Sequence, residues 1–255
     1  MADERNERLM PIFGADGLTR LEKATVMVIG LGGVGSSCAE ALVRGGIGHL
    51  ILVDRDKVEA SNINRQALAF HSTLGRPKVD VMAEMAHDIN PSCVIEKHYL
   101  FISRDNLEAL MAPYLVHLDY VIDAIDTISQ KLALAELAQK EGFPLISAMG
   151  AAHKLRPELL RFDDISRTHT CRMSKDMRKE CRRRGIDHLE VLFSTERPVT
   201  FPSGDAEGNR SPLGTVSYLP PIMGQMIAGR VICRLAGVEG GIDTTGFSRV
   251  RRRHG

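Results

Sequence analysis

The segment TVMVIGLGGVGSSCAEALVRGGIGHLILVD, Thr25 to Asp54, constrains the fold more than any other part of the chain. An apolar run, a glycine turn, a helical pattern and a second apolar run ending in an acid form a strand–turn–helix–strand unit. Parallel strands require such a crossover. In GLGGVG, Gly30, Gly32 and Gly35 fall at the spacing of a dinucleotide-binding turn. The first allows the tight turn, the second lets backbone approach a phosphate, and the third lets the helix pack on the sheet. Gly33 belongs to the same turn, and the helix start offers unpaired N–H groups to an anion. Asp54 ends the next strand, where a carboxylate can accept hydrogen bonds from a ribose. The motif points to a nucleotide without saying which one; the bland alternative is a glycine turn in an ordinary βαβ unit.

Apolar runs alternate with helical patterns through residue 150. We expect strands near 25–30, 49–54, 93–99, 119–124 and 144–148, with helices near 34–45, 77–89, 104–112 and 127–141. The alternation predicts an α/β fold with a doubly wound, mostly parallel sheet. Past Gly150 the pattern changes to a C-terminal α+β extension. LRPELLRFDDIS reads as a strand, CRMSKDMRKECRRRG as a short basic helix, and HLEVLFSTERPV as another strand. Thr200 to Gly214 is rich in Gly, Pro, Ser and Asp and reads as a mobile loop, and the tail SRVRRRHG reads as disordered. The organisation expected is an N-terminal segment (1–24), a nucleotide-binding core (25–150), a substrate-facing extension completing the same domain (151–237) and a basic tail (238–255).

Composition excludes several classes. Lys and Arg number 33 against 32 Asp and Glu, so attraction to a polyanion must come from local patches. There is no Trp, which argues against a base-stacking platform. The start MADERNERLM lacks the apolar core of a secretory signal. The most apolar late stretch, LPPIMGQMIAGRVICRLAG, carries Gln225, Arg230 and Arg234, groups costly in hydrocarbon; a buried amphipathic helix is expected rather than a membrane span. Five scattered cysteines without a C-x-x-C pair favour reduced thiols over disulfides or zinc. A soluble cytoplasmic protein with no membrane partner is expected.

The stretch after Asp54 does not suit hydride transfer, which needs an apolar slot for a nicotinamide. Instead, Asn62, Arg65 and Gln66 cluster together, Lys78 follows at a helix start, and DYVIDAIDTISQK ends a strand with Asp123 and Asp126. Cations converging on a nucleotide, with a carboxylate for Mg²⁺, stabilise charge in transfer at phosphorus. Asp123 could equally cap the next helix, Asn64 reads as a turn-shaping residue, and Arg65 and Lys78 could be mere surface cations.

GLGGVG, LVDRD, SNINRQ, LGRPKVD, INP and DAID, in this order, resemble the ThiF/MoeB/HesA superfamily from about Gly14 to Gly150. The resemblance implies a Rossmann-like adenylating fold that uses ATP and Mg²⁺. In such enzymes a substrate carboxylate attacks the α-phosphate to give an acyl-adenylate and pyrophosphate. It would place Gly30, Gly32, Gly33 and Gly35 at the phosphates, with Asp54 and Asp56 of LVDRD beside the nucleotide, Asp54 at the ribose. Asn62, Arg65 and Gln66 would surround the triphosphate, Lys78 would neutralise charge at the α-phosphate, and Asp126 would hold Mg²⁺. Family dimers also insert an N-terminal arginine into the neighbouring site; Arg8 is the candidate and Arg5 the reserve, in a homodimer.

Members that activate a ubiquitin-like sulfur carrier commonly hold zinc with two C-x-x-C pairs, which this sequence lacks. DAIDTISQKLAL, FPLISAMGAAHKLRPELLRFDDISRT, RRRGIDHLEVLFSTERP and GTVSYLPPIMGQMIAGRVI resemble a narrower branch, the tRNA threonylcarbamoyladenosine dehydratases. That branch implies tRNA as partner, with a possible sulfur-transfer protein beside it. The activated carboxylate is that of the threonine moiety on an adenosine beside the anticodon. A neighbouring nitrogen then closes a ring, with net loss of water.

From Arg161 to Arg184 the chain holds nine basic and four acidic residues, a local excess of five positive charges. Met173, Met177 and Cys181 recur every four residues, leaving the rest of that helix free for a phosphate backbone or simply for solvent. Cys171 and His169 in THTC suggest a nucleophile, but an intramolecular ring closure needs none. His153 could approach the substrate. The alternatives are a sulfur-carrier activator and an inactive adenylation fold kept as a binding scaffold; an NAD oxidoreductase fits least.

Overall fold

In the computed structural model, which describes residues 4–198 and 214–238, every residue of β1 (Thr25–Ile29) is buried. Val26 and Val28 face one core, Met27 and Ile29 another. A strand covered on both faces has no polar side to keep, hence the unbroken run TVMVI. β2 (His49–Asp54) repeats the division, with Leu50 and Leu52 on one side and Ile51 and Val53 on the other.

Five further strands complete one sheet: β3 (Val94–Tyr99), β4 (Tyr120–Asp123), β5 (Leu145–Ala148), β6 (Leu160–Asp164) and β7 (Glu190–Ser194). Their order is β3-β2-β1-β4-β5-β7-β6. Every pairing is parallel except that of β6 with β7. The chain winds outward from β1 to β3, then returns to lay β4 on the other side of β1. That reversal opens a crevice at the carboxyl ends of β1 and β4, the usual ligand position in open α/β sheets. The fold is α/β and doubly wound. Its late strands extend the same sheet, since β7 pairs with β5 through Ile146–Glu190, Ser147–Val191 and Ala148–Leu192.

Helices cover both faces. α1 (Met10–Lys23), α2 (Gly33–Arg44), α3 (Lys78–Ile89) and α7 (Leu219–Ala236) enclose one core; α4 (Arg104–Met111), α5 (Ile128–Glu141) and α6 (Arg172–Arg184) cover the other side. The strands and helices anticipated between residues 25 and 194 are all present, close to the expected bounds. α1 is an addition. Its helical path breaks at Gly14, where φ is 66°, and only Gly17, Leu18 and Leu21 are buried. It is fastened to the end of α7, where the Arg20 Nε donates to the Ala236 carbonyl at 3.0 Å.

LPPIMGQMIAGRVICRLA forms the buried helix α7, and its polar groups are used. Arg230 Nε lies 2.5 Å from Glu190 Oε1, and Arg234 donates to the same carboxylate at 3.0 Å. The Tyr120 hydroxyl donates to Glu190 at 3.2 Å, and the Arg230 guanidinium stacks 4.4 Å from the Phe162 ring centre. Pairing of this kind is what makes buried arginines tolerable. Among the described residues no helix is long and apolar enough to cross a membrane. The expected loop from Thr200 and the basic tail lie outside the described residues, apart from Gly214 and Val238.

Candidate functional site

A cavity of about 540 Å³ opens at the switch point. Gly30, Gly32, Gly33, Asp54, Asp56, Asn62, Arg65, Gln66, Lys78 and Asp126 all line it. Residues separated by almost a hundred positions in sequence therefore meet at one sheet edge.

The glycine turn follows β1. Gly30 has φ of 88°, and a Cβ there would stand 2.8 Å from the Ala124 carbonyl oxygen. A side chain would thus push the turn away from the end of β4. At Gly32 nothing lies within 4 Å of a built Cβ, so the backbone is open to a ligand. α2 starts at Gly33, and the N–H groups of its first turn have no intrahelical partner. Gly35 plays a different part. A Cβ there would fall 1.7 Å from the Gly30 carbonyl oxygen, and the residue is outside the cavity lining. It is a packing glycine, which lets α2 lie against the turn without itself facing the cavity.

Asp54 ties the turn to β2. Its carboxylate accepts from the Leu31 N–H at 2.5 Å and from the Asp56 N–H at 2.7 Å. Burial pushes its pKa above the ordinary carboxylate value, while those two N–H bonds and the Lys78 charge oppose the rise. A carboxyl with a raised folded-state pKa binds more protons folded than unfolded. Asp54 therefore costs stability once the pH exceeds the ordinary aspartate pKa, and the cost vanishes as pH falls below it. A fold accepts such a cost where the charge serves a site.

Lys78 is the first residue of α3 and only 5% exposed. Its backbone N–H donates to the Asp56 carbonyl, and its Nζ lies 3.1 Å from Asp56 Oδ2. The buried stem leaves the ammonium little freedom and directs it to the cavity. Arg65 donates to the Ser61 carbonyl at 3.0 Å and to Asn64 Oδ1 at 2.8 Å. Its Cγ lies 3.2 Å from a Cβ built on Gly33, which sets the arginine over the start of α2. Asn62 caps its own turn, accepting from the Glu59 N–H at 3.1 Å. Gln66 is buried, and its Oε1 has no hydrogen-bond partner among the described residues. An orphaned polar atom costs roughly 1–3 kcal/mol, so at a cavity wall it marks a place for a ligand. Asn64 donates to the Thr215 carbonyl at 3.0 Å and thereby pins the rim.

Asp126 sits exposed in the loop between β4 and α5, its Oδ1 accepting from Thr127 Oγ1 at 3.2 Å. Asp123 is different. It is fully buried beneath the loop, 3.0 Å from Lys131 Nζ and accepting from Ser147 Oγ at 2.6 Å. Its other oxygen accepts from the Ile125 N–H at 3.0 Å, so the acid fixes the loop that carries Asp126. Of the two roles open to Asp123, the structure gives the supporting one. Lys131 escapes a reading of the sequence for site residues. Its only signal is a lone cation in the apolar stretch KLALAELA, and burial draws its pKa below the ordinary lysine value while Asp123 opposes that.

The far wall is Ala148 to Ala152 with Met173 of α6. Cys171, buried at the N-cap of α6, has its Sγ 4.0 Å from a Cβ built on Gly150, behind that wall. His169 is exposed, edge-on to Phe193 at 5.6 Å, and His153 is linked to Gly214 with a left-handed φ of 57°. Neither histidine lines the cavity. Arg8 is exposed and also stands outside the lining, while Arg5 donates to the Ile89 carbonyl at 3.3 Å. Neither arginine reaches the cavity of its own chain.

The model of the ThiF family matches residues 4–249 of the chain. The tRNA threonylcarbamoyladenosine dehydratase of Bacillus subtilis is 40% identical over 234 residues, covering 88% of this chain and 91% of the relative. The Escherichia coli protein of the same name is 34% identical over 202 residues, covering 76% of this chain and 74% of that one. The crystal structure of the Escherichia coli tRNA N6-threonylcarbamoyladenosine dehydratase, TcdA, in complex with AMP superposes with a TM-score of 0.83 at 29% identity. It covers 92% of this chain and 95% of that one; the same protein is also known in complex with ATP, with the same TM-score.

Proposed function

This chain belongs to the ThiF family, and on that premise we propose that it is an ATP-dependent dehydratase of threonylcarbamoyladenosine in tRNA. The observation that carries the proposal is the meeting of Asn62, Arg65, Gln66, Lys78 and Asp126 around one glycine turn. Val53, Phe101 and Ile102 make an apolar side beside Asp54, suited to a purine and its ribose. The cations and the open turn suit the phosphates.

The reaction proceeds in two balanced steps. A threonyl carboxylate oxygen bonds to the α-phosphorus, and the bond to the leaving pyrophosphate breaks. A nitrogen of the same side chain then bonds to the acyl carbon, loses its proton, and expels AMP with one of the original carboxylate oxygens. The turn N–H groups and Arg65 hold the triphosphate in line, and the Lys78 ammonium balances charge gathering at the α-phosphate. Asp126 would hold Mg²⁺, which when bound neutralises the pyrophosphate. Among the described residues there is no group of three or more metal-binding side chains, which fits an ion that takes most ligands from phosphates and water. A homodimer, with Arg8 of the neighbouring chain completing the site, is part of the same proposal.

The carboxylate oxygen provides the test. With ¹⁸O in the threonyl carboxylate, AMP should carry one labelled oxygen, and AMP should form only when modified tRNA is present. Label retained wholly in the nucleoside, or AMP released on adding a protein with a free Gly-Gly end instead of tRNA, would refute the proposal.

Intramolecular attack leaves no covalent task for a thiol. Cys171→Ser should retain turnover within a few-fold, because serine is a good N-cap and the sulfur lies behind the cavity wall. Complete loss together with a covalent adduct trapped on the wild-type thiol would overturn this.

A further inference from the structure

We propose that the outer face of α6 docks the RNA backbone, and that four of its cations do so: Arg172, Lys175, Lys179 and Arg182. The inference rests on the dehydratase reading for the identity of the RNA, but its evidence is separate.

The basic excess of this region is not all available. Arg178 donates to both the carbonyl and the hydroxyl of Thr168, each at 2.7 Å. Arg183 is paired with Glu180 at 2.6 Å and Arg184 with Glu136 at 3.1 Å. Arg167 is paired with Asp163 at 2.5 Å, and Arg161 donates to the Glu158 and Leu160 carbonyls at 2.7 Å. These five serve the fold. Arg172, Lys175, Lys179 and Arg182 are exposed, and no contact with another described residue engages them.

Their spacing is informative. At 100° per residue the four fall within an arc of about 80°, and they span about 15 Å of helix axis. Asp176 is an acid at the border of this stripe. The opposite face, Ser174, Met177 and Cys181, is buried against α5 and β7. A helix whose apolar face is already covered cannot lie in a lipid surface by burying that face, so a vesicle is a poor occupant. A row of cations on a rigid helix suits a chain of phosphates. The row also starts in the right place: Met173, next to Arg172, lines the nucleotide cavity. RNA lying along α6 would therefore have a nucleoside within reach of the chemistry.

The test uses two quadruple variants, R172E/K175E/K179E/R182E and the same four positions changed to Gln. Binding of tRNA with its threonylcarbamoyladenosine intact is measured against salt, and ATP binding by calorimetry. A charge-matched control reverses Arg44, Lys97, Arg104 and Lys140, cations paired elsewhere on the surface. Losing four phosphate contacts should lower the log–log salt slope by roughly 3–4 and the affinity by about 10²–10³-fold near 0.1 M salt. The Gln variant should show the same loss of slope, the control should stay within a few-fold of wild type, and ATP affinity should not change. An unaltered slope in both stripe variants, or an equal loss in the control, would overturn the proposal. Wild-type protein that binds tRNA through this stripe but never forms AMP from it would leave the surface standing and defeat the dehydratase reading instead.

Discussion

Lys78→Ala should slow pyrophosphate release from ATP by about 10²–10³-fold while the thermal transition stays near that of wild type. The expected loss is that of one preorganised charge acting on charge that develops in the transition state. The small stability effect follows from the partner. Asp56 is about half exposed, so removing the ammonium leaves a carboxylate that water can solvate. Arg65→Ala should act in the same direction, since its guanidinium hangs over the start of α2 beside the turn. Turnover within a few-fold of wild type in both variants, with the fold intact, would remove these residues from the chemistry.

Lys131→Met should behave in the opposite way, costing stability first. Lys131 and Asp123 are both essentially inaccessible to solvent and stand 3.0 Å apart. Deleting the cation strands a buried carboxylate, a change worth about 3–5 kcal/mol. Activity should fall with it, because Asp123 also holds the Ile125 N–H and so the loop bearing Asp126. The double variant Asp123→Leu/Lys131→Met replaces the pair with apolar groups and should recover much of the stability without recovering activity. Urea unfolding of wild type, Asp123→Leu, Lys131→Met and the double variant gives the coupling directly. A single Lys131→Met variant as stable as wild type would show that the buried pair contributes nothing.

The parts of the fold that were legible in the sequence are those where local pattern and tertiary setting agree. VMVI and LILV are apolar throughout because helices cover both faces of the sheet, and in GLGGVG between them the closest glycine contact, Gly35 against the Gly30 carbonyl, falls within the same βαβ unit. The cavity-lining cluster was legible for a related reason: SNINRQ, the lysine opening α3 and DAID are short motifs in the segments that follow β2 and β4, and the winding of the sheet brings those segments together. α1 was not legible. Its buried side is narrow, and Gly14 interrupts the period on which recognition depends.

Other limits are physical as well. No sequence pattern tells a cation tied to a neighbouring carbonyl from a free one, so Arg178 and Arg182 look alike until Thr168 is seen beside the first. Asp123 and Asp126 are likewise equivalent in DAID. Only the burial of Lys131 against the sheet separates the acid that supports the loop from the acid that faces the cavity. Gly35 belongs to the phosphate-binding motif by spacing, yet its contact is with the Gly30 carbonyl.

The most direct test of the central claim is the mass of the nucleoside. Wild-type protein, ATP, Mg²⁺ and tRNA carrying threonylcarbamoyladenosine are incubated, and the RNA is digested and analysed by mass spectrometry alongside AMP and pyrophosphate. The account predicts a nucleoside lighter by one water, formed in equal amount with AMP and pyrophosphate and absent when ATP is omitted. A nucleoside of unchanged mass, from protein that binds both ATP and the tRNA, would contradict it.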